Sequence, residues 1–353
     1  MNKKQYKVVG VMSGTSLDGV DLAECFFEIS NSGNWSFTMG KATTIPYPES
    51  WKMRLQEGIH FSKGRLQSLN KEYTQYLGRL IKDFMTENEI EDVDAVCSHG
   101  HTILHQPEKG ITLQIGNLPE ISKYAEAKLI CDFRVQDVAL GGQGAPLVPI
   151  GDRLLFQEYD YCLNLGGFAN VSSEVNGVRI AYDICPVNIV LNPLAEQMGY
   201  PFDKGGKLAA SGSLDASLFQ ALNGLAFYNQ SPPKSLGLEW VQKEVFPLLK
   251  ISKASIQDQL HTVTEHIAFQ LSNAFSEGAR VLVTGGGAYN TYLLERVRHY
   301  THVNLVVPEA ALVEYKEALI FALLGVCRLR SEVNCLASVT GASRDHCSGM
   351  IFE

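Results

Sequence analysis

Val8-Val9-Gly10-Val11-Met12-Ser13-Gly14-Thr15-Ser16-Leu17-Asp18-Gly19-Val20-Asp21-Leu22 sets a cluster of glycines, hydroxyls and carboxylates between two apolar runs. The runs read as strands and the cluster as the turn joining them. Two readings of the turn stand side by side. Its glycines let backbone N–H groups come close to an anion, Thr15 and Ser16 add donors, and Asp18 and Asp21 could hold Mg²⁺ through water. Alternatively it is an ordinary tight hairpin, since Gly, Ser and Asp are what turns are made of.

Outward from this stretch, strands are expected at Lys7–Met12, Leu22–Ile29 and Trp35–Ala42, which makes a meander. Between Gly64 and Asn88 the apolar residues Leu66, Leu69, Tyr73, Leu77, Leu80, Ile81 and Phe84 recur at spacings of three and four, so a helix with one core face follows. Val93–Cys97 reads as a short buried strand, with Ser98-His99-Gly100-His101-Thr102 as the turn after it. Short strands at Thr112–Ile115 and Lys128–Cys131 come next. Ala139-Leu140-Gly141-Gly142-Gln143-Gly144-Ala145-Pro146 is rich in turn-formers and is the expected crossing between domains.

A second alternation then begins: strand Tyr161–Leu165, turn Gly166-Gly167, strands Phe168–Ser172 and Arg179–Asp183, and a helix from about Val187. It looks like a second copy of the opening hairpin. Ser255-Ile256-Gln257-Asp258 reads as a capping box for a helix whose face is Leu260, Val263, Ile267, Leu271 and Phe275. Strand Arg280–Thr284 leads into Gly285-Gly286-Gly287 and a helix, the outline of an anion or nucleotide site. A strand at Asn304–Val307 and a helix from Glu317 to Leu329 complete the pattern.

The 353 residues, 45% hydrophobic, suffice for two cores. With a net charge of −8 and no basic stripe, nucleic acid is not an expected partner. Eight cysteines without a C-x-x-C pair fit reduced, buried thiols and a cytoplasmic setting. The first residues lack a signal-peptide pattern, and no run reaches the roughly 18 apolar residues of a membrane span.

No Walker A pattern occurs, since Gly205-Gly206-Lys207 is followed by Leu208, and the glycines at 285–287 do not form the dinucleotide fingerprint. His99, His101 and His105 alternate, so an extended segment would set them on one face, but no cysteine or carboxylate completes a zinc set. Asp183 ends an apolar strand just before a helix. It is placed either as a general base or metal holder or as a helix cap. Arg134 could clamp an anion or pair with Asp132 or Asp137.

Taken in order, several segments resemble the anhydro-N-acetylmuramic acid kinase family of the sugar kinase, acetate kinase and actin superfamily. They are Gly10 to Asp21, His99-Gly100 with His105, Thr112-Leu113-Gln114-Ile115-Gly116, Asp132-Phe133-Arg134, Asp137 to Pro149 and Asn164 to Val171. Pro233-Lys234-Ser235 with Gly237, Gly285 to Gly287, Glu317-Ala318-Leu319 and Ser338 to Ser343 follow. The resemblance implies an α/β fold of two actin-like, ribonuclease H-like domains, each a mixed sheet flanked by helices, with the active site in the interdomain cleft. The domains are expected at 1–133 plus about 331–353, and at 134–330.

The implied reaction uses ATP and Mg²⁺ to open the 1,6-anhydro ring of an anhydro amino sugar with water and to phosphorylate the freed O6. The resemblance gives the ATP phosphates to Gly14, Thr15, Ser16, Leu17, Asp18, Gly19, Val20 and Asp21, with Asp18 as the metal holder. Gly166 and Gly167 form another wall of the nucleotide site and Gly285, Gly286 and Gly287 approach the adenosine. Asp183 is the implied catalytic base; Arg134, Asn188, Glu317 and His99 are implied on the sugar. A homodimer is also implied.

Around the base the family reads Asp-Thr-Gly-Pro-x-Asn with an Asp four residues beyond the Asn. Here Asp183-Ile184-Cys185-Pro186-Val187-Asn188 is followed by Asn192, and His101 stands where glutamine is usual. These departures bear on substrate preference. A kinase of a different amino sugar and an actin-like, non-catalytic ATP-binding module are the competing expectations.

Overall fold

A computed structural model of the chain describes residues 3–14 and 16–353, so Thr15 of the first turn lies outside the described residues. The chain divides into two units, the first running to Leu155 and resuming from Tyr315 to Glu353, the second spanning Phe156–Glu314.

The first unit is built on the predicted meander. Strands β1 (Gln5–Ser13), β2 (Gly19–Ile29) and β3 (Trp35–Pro46) pair antiparallel, with Met12 opposite Asp21 at the first turn. Strand β4 (Ala95–Gln106) lies parallel beside β1, β5 (Ile111–Ile115) folds back on β4, and β6 (Leu129–Cys131) runs parallel to β4. The short strand Met350–Phe352 closes the edge against β6.

One face of this sheet is covered by the helix Lys63–Glu87, whose Leu69, Tyr73, Leu77, Ile81 and Phe84 pack with Val9, Val11, Val20, Leu22 and Val96. This is the three-and-four spacing predicted for it, and Ser62 caps its start on Arg65 N–H. The opposite face takes the helix Ala310–Arg330, which leaves helical dihedrals at Tyr315 (φ −112°, ψ 16°), where the first unit resumes. It lies so close that a Cβ on Gly10 would collide with the Ala318 carbonyl, and one on Gly325 with Cys97. A buried Lys316–Asp152 ion pair of 2.7 Å ties it to the helix Pro149–Leu155.

The second unit repeats the plan. Strands β7 (Tyr161–Leu165), β8 (Phe168–Val175) and β9 (Val178–Pro186) form an antiparallel meander, β10 (Arg280–Thr284) runs parallel beside β7, and β11 (Asn304–Val306) beside β10. Its core joins these strands to the helices Asn188–Glu196, Ile256–Ser272 and Thr291–Tyr300. Ser255 caps the long helix on Asp258 N–H at 3.1 Å, as the capping box predicts. The molecule is therefore α/β, two mixed sheets flanked by helices.

Three expectations are corrected. The boundaries at 133/134 and 330/331 fall inside the first unit. The Gly/Pro-rich stretch is no crossing: Gly144 N–H donates to Asp137 Oδ2 (2.7 Å), Gln143 N–H to the Thr340 carbonyl (2.8 Å), and Thr340 Oγ1 to Asp137 Oδ1 (2.7 Å). A buried Asp137 thus binds the stretch to a segment that the chain order had placed elsewhere. Third, Ser98–Thr102 is strand, not turn, since β4 runs on to Gln106. Gly100 takes a left-handed φ of +74° within it, which breaks the alternation of faces. His99 accordingly packs on Phe321 of the helix Ala310–Arg330, while His101 reaches Tyr73 of the helix Lys63–Glu87. His101 is thus set apart from His99, while His105 lies near Gly144 and Arg134, and no metal-holding group of three His, Cys, Asp or Glu exists among the described residues.

Candidate active site

In the first unit the β1–β2 turn is held from below and left open above. Leu17 adopts a left-handed φ of 62°, with its N–H directed to the Gly14 carbonyl at 3.4 Å. Gly19 has no room for a side chain, because a Cβ would strike the Ile45 carbonyl. Tyr47 pins both ends, its N–H donating to the Asp18 carbonyl (3.3 Å) and its hydroxyl bonding Ser13 Oγ (2.6 Å). Ser13 also meets His101 Nδ1 at 2.8 Å, and Tyr47 bonds the Tyr73 hydroxyl. Burial keeps this network uncharged, pushing Tyr47 up to about 12 and His101 down to about 4.

Gly14 is different, for a Cβ there would meet nothing closer than Ser16 Oγ at 3.5 Å. Ser16 and Asp18 are exposed, Asp21 is half-buried and accepts from Thr44 Oγ1 at 2.6 Å, and the Val20 side chain lies wholly in the core. Val20 is buried backbone and all, paired with Ile45 in the sheet, so this residue of the predicted phosphate turn faces no ligand.

Glu317 joins this turn. The tight Gly10–Ala318 approach brings the helix carrying it over β1, and the Asp21 carboxylate acts on it electrostatically. Glu317 is exposed to solvent, yet protein crowds round it, and the resulting desolvation raises its carboxyl above the usual range while Arg134 pulls it down. Arg134 precedes the helix Val135–Ala139 and pairs with neither Asp132 nor Asp137. Instead its Nε–H donates to His99 Nε2 (2.8 Å) and its Nη1–H to the Gly144 carbonyl (2.6 Å). His99 Nδ1 faces the Gly100 carbonyl at 2.9 Å, and burial together with the Arg134 charge holds the imidazole neutral.

In the second unit Gly166-Gly167 is the tip of the β7–β8 hairpin, with Gly166 N–H bonding the Phe168 carbonyl at 3.2 Å. The Gly166 and Gly167 carbonyls accept from the N–H groups of Asn188 (3.3 Å) and Val187 (2.8 Å), fixing the start of the helix Asn188–Glu196. The Asn188 side chain points back to the Leu165 carbonyl at 3.4 Å. Gly285, at φ +80°, and Gly287 press on the end of β7, where Cβ atoms would lie 2.9 Å from the Leu165 carbonyl. Gly286 between them is exposed and a Cβ there would touch nothing within 4 Å.

Asp183 is no helix cap. It sits inside β9 opposite Asn170, beside a bulge, and the following helix begins only at Asn188. Its backbone N–H donates to the Lys234 carbonyl (3.0 Å) and its Oδ2 accepts from Leu236 N–H (2.7 Å). Burial raises its carboxyl pKa, and the Leu236 N–H opposes the rise. Cys185 lies in the extended strand, fully buried, so the replacement for glycine meets no backbone strain.

The structure thus brings Asp18, Asp21, Glu317, Arg134 and His99 into the first unit, and Gly166, Gly167, Asp183, Asn188 and Gly285–Gly287 into the second. Sequence reasoning missed the Leu236 donor, the Ser13–Tyr47–His101 support and the Asp137 buckle. Their partners are dozens of residues away; only the Pro233-Lys234-Ser235 segment carried a signal, and it gave no role.

Comparison with known proteins shows the family of the chain. Residues 6–353 match the family described as anhydro-N-acetylmuramic acid kinase. The protein of that name from Mannheimia succiniciproducens is 34% identical over 378 residues, covering 99% of each chain. That from Francisella tularensis subsp. novicida is 32% identical over 369 residues, covering 96% of each. Among solved structures, the activator of 2-hydroxyisocaproyl-CoA dehydratase from Clostridium difficile covers 90% of this chain and 93% of its own at 15% identity, with a TM-score of 0.41, too loose a likeness to argue from. With relatives aligned from one end to the other, the chain belongs to the anhydro-N-acetylmuramic acid kinase family and is a phosphotransferase.

Proposed function

We propose that the protein uses ATP to convert 1,6-anhydro-N-acetylmuramic acid and water into N-acetylmuramic acid 6-phosphate and ADP, as a cytoplasmic step in peptidoglycan recycling. Water attacks the anomeric carbon and Asp183 takes its proton. The bond from that carbon to O6 breaks on the opposite face, as in inverting glycoside hydrolysis. The freed O6 attacks the γ-phosphorus of ATP and ADP departs. Phosphoryl transfer asks for positioning and charge neutralisation more than covalent help.

The observation that carries this reading is Asp183: half-buried, raised in pKa, and held by the Leu236 N–H so that its second oxygen remains for water. The turn from Gly14 to Asp21 takes the phosphates on its open side. Gly166, Gly167 and Gly286 offer backbone without a side chain to the nucleotide. Arg134 and Glu317 hold the sugar, and Asn188 lines its site.

An exposed Asp18 and a half-buried Asp21 suit Mg²⁺, which binds through one or two carboxylates while keeping waters and phosphate oxygens. When bound, the ion neutralises charge on the phosphates. The test is a product assay with ATP, Mg²⁺ and the anhydro sugar. ADP and a 6-phosphorylated reducing sugar are expected in equal amounts. Transfer to an intact hexosamine with none to the anhydro sugar would overturn the proposal.

A further inference from the structure

Arg134 carries five N–H donors and spends two of them on neutral acceptors, His99 Nε2 and the Gly144 carbonyl. Among the described residues no carboxylate oxygen lies within 4.0 Å of its guanidinium. Its charged surroundings are few. Asp137 has both oxygens committed, Oδ2 to Gly144 N–H and Oδ1 to Thr340 Oγ1 with His346 at 3.6 Å. Glu317 acts on it from beyond ion-pair distance and is itself drawn by Lys316 and repelled by Asp21. A guanidinium drawn partly out of water with no bonded counter-charge is costly unless something anionic completes it.

The neutral acceptors decide which edge is left. With Nε–H and one Nη1–H occupied, the remaining Nη1–H and both Nη2–H groups form the free fork, and a fork of that geometry takes an oxyanion with two parallel bonds. His99 can accept from Arg134 only on an unprotonated Nε2, so its proton sits on Nδ1 toward the Gly100 carbonyl. Packing on Phe321 at 4.6 Å fixes the ring plane.

We propose that His99 does not touch the substrate but is a positioning residue that aims the free fork of Arg134 at a substrate oxyanion. The inference rests on the proposed kinase reading. That reading offers two such anions, the lactyl carboxylate of the sugar and the terminal phosphoryl group of the nucleotide.

The test compares 1,6-anhydro-N-acetylmuramic acid with 1,6-anhydro-N-acetylglucosamine, which lacks the lactyl carboxylate, in the wild-type protein and in the variants His99→Leu and His99→Gln. If the carboxylate is the anion, His99→Leu raises KM for the first sugar at least about tenfold, the scale of a lost charge-assisted bond, and leaves KM for the second and for ATP unchanged. If the phosphoryl group is the anion, KM for ATP rises instead and the ratio between the sugars stays fixed. In either case His99→Gln, which keeps an acceptor for Arg134 Nε–H, recovers most of the loss. Unchanged KM values throughout, a loss equal for both sugars without a change in KM for ATP, or a loss that His99→Gln does not relieve would overturn the role. Failure of the wild-type protein to phosphorylate either sugar would instead overturn the kinase reading.

Discussion

Asp183 combines a raised pKa with a fixed orientation, and the two have opposite consequences for activity and stability. As a base it must be ionised, so kcat/KM should fall with an acid limb lying above the ordinary aspartate value of about 3.9. For stability the sign reverses. A carboxyl whose pKa is raised on folding binds its proton more tightly in the native state, so its ionisation costs stability as pH rises through the carboxylate range. Asp183→Asn should therefore lower kcat by about 10²–10⁴-fold while leaving the melting temperature at pH 7 equal or higher. That difference from wild type should shrink when melts are repeated near pH 4; a large loss of melting temperature at neutral pH would contradict the assignment. At this scale the sequence showed the carboxylate but not its environment. The residue that holds it, Leu236, is 53 positions further on and contributes only a backbone N–H, which no side-chain pattern records.

The two kinds of glycine set apart structural need from ligand need. Gly10 is required by packing, since the Ala318 carbonyl occupies the place of a Cβ; Gly286 has open space and no left-handed backbone to explain it. Gly10→Ala should destabilise the fold by about 1–3 kcal/mol in denaturant unfolding. Gly286→Ala should stay within about 0.5 kcal/mol of wild type yet raise KM for ATP, with KM for the sugar unchanged. Equal effects of both variants on stability would remove the distinction. The helix Lys63–Glu87 and the two meanders were legible because burial of one face imposes a period on the apolar residues. Strand β4 was not, because its second half carries serine, glycine and histidine, residues of turns, and owes its extended form to pairing with β1, which is distant in the chain, as well as with the β5 that follows it.

The whole molecule uses one plan twice, an antiparallel meander with a parallel strand beside its first member, and each copy brings a glycine turn to the end of that first strand. The repeat was visible in outline from the spacing of strands and glycines. The division of the chain was misjudged because turn-forming residues mark where the backbone bends, not which unit it belongs to. Asp137 and Thr340, 203 residues apart, decide that instead. The central claim is that one turnover both hydrolyses the anhydro ring and transfers phosphate to the oxygen it releases. Mass spectrometry of the product formed in ¹⁸O-labelled water tests it directly. The account predicts one ¹⁸O per phosphorylated sugar, bound at the anomeric carbon and read before exchange with solvent, with the phosphate on an unlabelled O6. A phosphorylated sugar with no label, or label without phosphate, would contradict it.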